Sequence, residues 1–270
     1  MKNVLLLLCI LASVAVGQGT EPSDNSLRAA IEKNEFAWST SARAISLTNT
    51  ANHRGIIAAS CDVQVTGDTF SLVTQTSPTK YSTELAGVSV TIGGQAALVR
   101  AVTPDALFVV APKLRLKDEL AQMRWVQVDG FPKRISWQPV KITTPLGIWN
   151  TWVAVGEVSP GVFESEGRVS GLARLGNGPV TVIGYQPVYP GSRITLLATG
   201  FRAAKFATVF ITGENDETVF VAAGIFPWSD SFPWLENIAF DLPSFITGPV
   251  RVIVLADNEW SNEVSFTIER

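Results

Sequence analysis

The sequence predicts an all-β protein, two tandem β-sandwiches with a short helix ahead of them. Three observations carry that reading. From about residue 40 the chain becomes a series of short runs rich in Val, Ile, Thr, Phe and Trp, divided by Gly, Pro, Asn and Asp. Several of these runs alternate apolar and polar side chains, as a strand with one buried face must. Finally, a set of landmarks recurs further along the same chain, the mark of a duplicated unit.

The helix rests on Asn25-Ser-Leu-Arg-Ala-Ala-Ile-Glu-Lys-Asn-Glu-Phe-Ala-Trp38, which combines a capping residue, helix formers and apolar residues at Leu27, Ile31 and Trp38. Clear strands follow at Gly87-Val-Ser-Val-Thr-Ile92, Arg193-Ile-Thr-Leu-Leu-Ala198, Val250-Arg-Val-Ile-Val-Leu255 and Glu263-Val-Ser-Phe-Thr-Ile268. Gly93-Gly94, Asp129-Gly130 and Asp257-Asn258 fall between runs and have the chemistry of tight hairpin turns. A second helical stretch, residues 113–123 with Leu116 and Leu120 four apart, reads as a connector.

The duplication aligns Ala58-Ala-Ser-Cys-Asp-Val-Gln-Val-Thr-Gly67 with Pro190-Gly-Ser-Arg-Ile-Thr-Leu-Leu-Ala-Thr-Gly200, including both Thr-Gly pairs. It continues with Leu107-Phe-Val-Val-Ala-Pro112 against Ile238-Ala-Phe-Asp-Leu-Pro243, residues 123–129 against 250–257, and residues 134–142 against 263–268. The offset of about 130 residues suits an immunoglobulin-sized sandwich with insertions. The expected organisation is a signal peptide over 1–17, a linker and helix over 18–40, a first sandwich over 41–158 and a second over 159–270.

The N-terminus carries Lys2, an apolar run over residues 4–16 and small residues at Ala15-Val-Gly17, the pattern of a secretory signal cut before Gln18. The run is shorter than the roughly 18 to 20 residues that cross a bilayer, and no later stretch could anchor the chain. A secreted protein, periplasmic or extracellular, is expected. Cleavage removes Cys9 and leaves Cys61 as the one cysteine, so no internal disulfide can form. Cys61 falls opposite Ile194 in the duplication and reads as a small buried hydrophobe; a reactive thiol is the alternative.

These landmarks resemble the tandem immunoglobulin-like modules of the IPT/TIG family of secreted bacterial proteins. The resemblance is carried by Leu85-Ala-Gly-Val-Ser-Val-Thr-Ile-Gly-Gly94, the Ser159-Pro-Gly-Val-Phe163 junction, the 190–200 segment, and Gly248-Pro-Val-Arg-Val-Ile-Val with Ser261-Asn-Glu-Val. It covers about residues 50–270. It departs at Glu164-Ser-Glu-Gly-Arg-Val-Ser-Gly171, where family members carry an Asn- and Ala-rich loop. The resemblance implies sandwich domains and brings no catalytic residues with it, so only a binding or structural role follows by analogy.

Composition excludes several classes. With 21 bases against 24 acids, the chain lacks the positive excess of a nucleic-acid binder, and 46% hydrophobic residues exclude disorder. One His and two Cys are too few for the common structural zinc sites. His53 lies in a polar loop-like stretch, Gly-x-Ser-x-Gly does not occur, and no phosphate-binding loop is present. No cofactor and no metal are expected. Glu214-Asn-Asp-Glu217 reads as a charged hairpin tip, with calcium as the alternative.

The most suggestive segment is Phe226-Pro-Trp-Ser-Asp-Ser-Phe-Pro-Trp234. Read as a Pro-stiffened connection between strands, it would present Trp228 and Trp234 around Asp230, with Trp260 of the last hairpin as a neighbour. Such a surface stacks on sugar rings or anchors a protein; the same rings can instead close the end of a core. The expected function is therefore non-catalytic recognition of a polysaccharide or cell-surface protein. Two alternatives stand beside it, a calcium-stiffened adhesion module and a carbohydrate-active enzyme using two acids drawn from Asp230, Glu236, Asp241, Glu164 and Glu166. Trp125 and Trp137 read as core, while Trp149 and Trp152 precede the module junction.

Overall fold

A computed structural model of the chain describes residues 45–77, 81–114, 123–128, 131–229 and 232–270, without the side chains of 123–128 and 131–134. Every regular element among the described residues is a strand, so the described part of the chain is all-β. Both expected helices lie outside the described residues, wholly for 25–38 and in large part for 113–123. The Cα positions form two compact units, one containing Val63–Gly156 and the other Asn49–Asp62 with Glu157–Arg270. The sequence places the division at 158/159; in the structure, the segment Asn49–Asp62 also belongs with the second unit.

Strands β1 (Ser46–Asn49), β2 (Ile56–Ile57), β3 (Asp62–Thr66), β4 (Gln75–Thr76), β5 (Glu84–Leu85) and β6 (Val88–Ile92) come first among the described residues. They are followed by β7 (Gln95–Ala96), β8 (Leu98–Val102), β9 (Ala106–Val110), β10 (Met123–Val128), β11 (Phe131–Thr144) and β12 (Gly147–Gly156). In the first unit one sheet runs β1-β3-β9-β8-β4 and another β12-β11-β6-β5. Val88, Val90 and Ile92 are buried and alternate with half-exposed Ser89 and Thr91, which is the period of two that marks β6 in the sequence. Gly93 and Gly94 turn the chain into β7 with φ of 59° and 78°, a conformation other residues resist.

The second unit holds β13 (Gly161–Val162), β14 (Glu164–Ser165), β15 (Arg168–Val169), β16 (Gly171–Arg174), β17 (Val180–Val182) and β18 (Arg193–Thr199). It continues with β19 (Ala207–Thr212), β20 (Thr218–Ser229), β21 (Phe232–Asp241), β22 (Gly248–Ala256), β23 (Glu259–Trp260) and β24 (Val264–Ile268). Ile194, Leu196, Ile238 and Phe240 from β18 and β21 meet Val209, Ile211, Val250, Val252, Val254 and Phe266 from β19, β22 and β24 in one buried core. Asp257 and Asn258, with φ of 46° and 69°, make the β22–β23 turn. Glu214-Asn-Asp-Glu217 forms the tip between β19 and β20, with Asp216 paired to Arg251.

The two units share a pairing scheme, β3 beside β9 in one and β18 beside β21 in the other. The last part of the sequence alignment needs correction. β22 pairs with both β19 and β24, and its counterpart by pairing is β11, which lies between β6 and β12. The alignment of 123–129 with 250–257 is thus displaced by one strand. The cause is an additional strand, β10, which occupies the first part of β11 while β6 takes the second.

Strand β20 serves two partners. Residues 218–223 pair with β19, and from Gly224 onward the strand pairs with β21. Gly224 permits the exchange, because a Cβ there would lie 2.5 Å from the Phe226 ring. This arrangement corrects the reading of 226–234 as a loop. β20 and β21 run through the segment as a hairpin arm, paired as far as Ser229 and Phe232. Both prolines are tolerated because each lies where its strand has a single neighbour: Pro227 past the end of the β19 pairing, Pro233 ahead of the β18 pairing.

Candidate functional site

The β20–β21 arm presents three exposed aromatic side chains, Phe226 at 50%, Trp228 at 41% and Phe232 at 37%. Trp234 is half-buried and supports the arm from beneath. Its ring meets Phe163 edge-on at 5.7 Å and Phe232 at 6.3 Å. Phe163 belongs to the Ser159-Pro-Gly-Val-Phe junction and is held to β18 by its N–H donating to the Leu197 carbonyl. Arg202 donates from Nη1 to the Pro233 carbonyl at 2.8 Å and ties the arm to the β18–β19 connection.

Trp260 lies elsewhere in the unit. It sits on β23 against Phe210 at 5.0 Å, and Phe210 in turn meets Phe220 at 6.1 Å. Of the four residues expected to share a surface, Trp228 and Trp234 share the arm, Trp260 joins a different aromatic group, and Asp230 is outside the described residues. Phe210 and Phe220 escape sequence reasoning because both lie in runs apolar on the two faces, Ala-Thr-Val-Phe-Ile-Thr212 and Thr-Val-Phe-Val221, where periodicity does not say which face is outside.

Beneath the arm lies Glu236, 3% exposed and on the same face of β21 as the core residues Ile238 and Phe240. Its Oε2 accepts the Phe201 N–H at 2.7 Å. Burial pushes its carboxyl up to about 7, against the lowering effects of the Phe201 N–H and the Arg202 charge. Asp241, the other acid of this strand, is on the opposite face, exposed and bridged to Arg193 at 3.3 Å. Five positions of extended strand separate the two by roughly 17 Å. Glu164 and Glu166 are exposed in and after β14, Glu166 at φ 55°.

Cys61 is fully buried, and burial pushes its thiol far above the ordinary range, with the Asp62 and Glu236 charges adding to the effect. The thiol accepts a hydrogen bond from the Ala58 N–H at 3.4 Å. In the native protein, Cys61 is expected to resist a thiol-specific reagent for hours at pH 8 and to react fully in denaturant. Fast native labelling would contradict this. His53 is exposed in the β1–β2 connection at φ 55°. The Trp149 ring meets Phe70 at 5.7 Å and its indole N–H donates to Asp68, both in the first unit. Trp137 is partly buried on β11, and the Trp125 side chain is outside the described residues.

Among the described residues no group of three or more His, Cys, Asp and Glu gathers, and no helix is long and apolar enough to cross a membrane. No family model and no curated protein matches the chain. Solved structures similar to it include domains 5-6 of the S-layer protein SbsC, at 11% sequence identity over 84% of this chain and 96% of that chain, with a TM-score of 0.26. Chains that are both rich in β-strand reach such a score without sharing a topology.

Proposed function

We propose that the chain is a non-catalytic binding or structural protein of the cell surface or extracellular space, built from two tandem immunoglobulin-like β-sandwiches of the IPT/TIG type. Recognition of a glycan or a protein falls to the β20–β21 arm. The observation that carries this reading is the trio of exposed aromatics, Phe226, Trp228 and Phe232, on a hairpin braced by Trp234. Flat aromatic faces stack on sugar rings and anchor protein interfaces. The order of sequence landmarks supports the family assignment, and the apolar N-terminal run supports export.

A carboxylate-pair enzyme needs its two acids about 5 to 10 Å apart across a cleft. Glu236 faces the core and Asp241 the opposite side, which favours the non-catalytic reading. Calcium stiffening predicts a melting temperature lowered by a chelator.

The test is a binding screen of residues 18–270 against soluble polysaccharides and cell-wall glycans, with Trp228→Ala plus Phe232→Ala as control. We expect the double variant to lose binding by about tenfold or more while its melting temperature moves by less than about 4 °C, since both rings are exposed. Trp234 is left intact because removing it would disturb the packing on Phe163. Undiminished binding by the variant would move recognition away from the arm.

A further inference from the structure

The geometry beneath the arm has an asymmetry. The donor to Glu236 is fixed: Phe201 is fully buried and follows Gly200, whose carbonyl accepts the Ser159 N–H at 2.9 Å. The acceptor side is freer. Residues 236–241 of β21 are paired to β18, while 232–235 lie beyond that pairing and are held by β20 alone, across an irregular register between Pro227 and Ser229. Glu236 is therefore the last residue of β21 gripped from both sides, at the point where the arm leaves the body of its unit.

The groups facing it come from four directions. Its pairing neighbours, Ala198 on β18 and Pro227 on β20, do not titrate. The β18–β19 connection supplies the Phe201 N–H and the Arg202 guanidinium. The start of β3 and the residue before it bring Asp62, whose Oδ2 accepts the Thr50 hydroxyl, and the Cys61 thiol, kept protonated by burial. Arg202 is the one cation among these groups, and its Nη1 already donates to Pro233 on the arm.

We infer that the Glu236 carboxyl is a proton-operated latch on the aromatic arm. Protonated, it lies neutral in the core end and leaves Arg202 to pin the arm through the Pro233 carbonyl. Ionised, it draws the Arg202 guanidinium toward itself and admits water, and the arm loses that tether. The ordinary carboxylate range is well below the value of about 7 that burial gives this group, so the change falls near neutral pH. Ordering of Phe226, Trp228 and Phe232 then weakens as the pH rises. The consequence for ligand capture rests on the function proposed above; the latch itself does not.

The test follows the backbone rather than any ligand. Amide hydrogen exchange of residues 224–237, corrected for the intrinsic effect of pH, and the Phe201 amide resonance would be recorded from pH 5.5 to 8.5. We expect protection in the arm to fall by about tenfold across this range, with the Phe201 resonance titrating in parallel. Glu236→Gln should hold both constant, and Arg202→Gln should move the midpoint upward by about half a pH unit. A wild-type arm with pH-independent protection overturns the latch. So does a Glu236→Gln variant that keeps the transition, and an unmoved midpoint in Arg202→Gln removes the tether. Absence of a ligand would leave both readouts intact, so the two ideas fail separately.

Discussion

Gly200→Ala is expected to destabilise the second unit by about 4 kcal/mol or more, a large fraction of the stability of an ordinary domain. Gly200 follows Thr199 at the end of β18 with φ at 81°, where an L side chain is strained by roughly 1 to 2 kcal/mol. The larger part is steric. A Cβ would sit 2.0 Å from the Ser159 carbonyl oxygen, a backbone atom that also accepts from the Asn49 side-chain amide at 2.7 Å. Neither strand end can yield without breaking the Ser159 N–H to Gly200 carbonyl bond. The control is Gly167→Ala in the same unit, with φ at 73° and nothing within 4 Å of the new carbon. It should cost about 1 kcal/mol, the backbone strain alone. Urea unfolding of the two variants would show a wide gap; equal costs would mean the close approach is absent in solution.

The second large effect is a loss of stability with rising pH that depends on one carboxyl. Glu236 titrates near the ordinary 4.5 when unfolded and at about 7 when folded. Between those values the native state binds the extra proton, so stability declines as the pH rises. The contribution is fully present below about 4.5 and lost as the pH passes 7. A difference of this size corresponds to about 3 kcal/mol. Glu236→Gln keeps an acceptor for the Phe201 N–H but has nothing to titrate. Its stability should stay level from pH 5 to 8 and exceed that of the wild type at pH 8. A wild-type protein as stable at pH 8 as at pH 5 would contradict the argument.

Much of the fold was legible because it is local. β6, β18, β22 and β24 declare themselves by alternation, and Gly93-Gly94 and Asp257-Asn258 by the backbone shapes that they alone adopt cheaply. The paired Thr-Gly landmarks also have a physical meaning, since Gly67 and Gly200 both lie at strand ends with positive φ. What escaped depends on partners. Nothing in residues 218–229 announces that the strand changes neighbours at Gly224, and so the two prolines looked incompatible with pairing. Glu236 reads in the sequence as one of five equivalent candidate acids because its neighbours, Leu235 and Asn237, do not reveal which face points inward. That becomes plain only through its register with Ala198. The Trp residues were legible as aromatic wealth, but their division between the arm and the Phe210 group rests on sheet membership.

The second unit is discontinuous in sequence, joining Asn49–Asp62 to Glu157–Arg270. Asn49 and Ser159 are 110 residues apart and Asp62 and Thr199 are 137 apart, yet each pair is hydrogen-bonded and buried. During synthesis the earlier segment must therefore wait, its polar groups hydrogen-bonded to water, until the later strands have emerged. Closing loops of that length is slow compared with forming a neighbouring hairpin. No single cut in the gene yields this unit whole. A truncation beginning at residue 157 would lack the Asn49 amide that holds Ser159 and the Asp62 N–H that caps Thr199, whereas a permuted chain that re-splices 49–62 onto the C-terminal half would restore both.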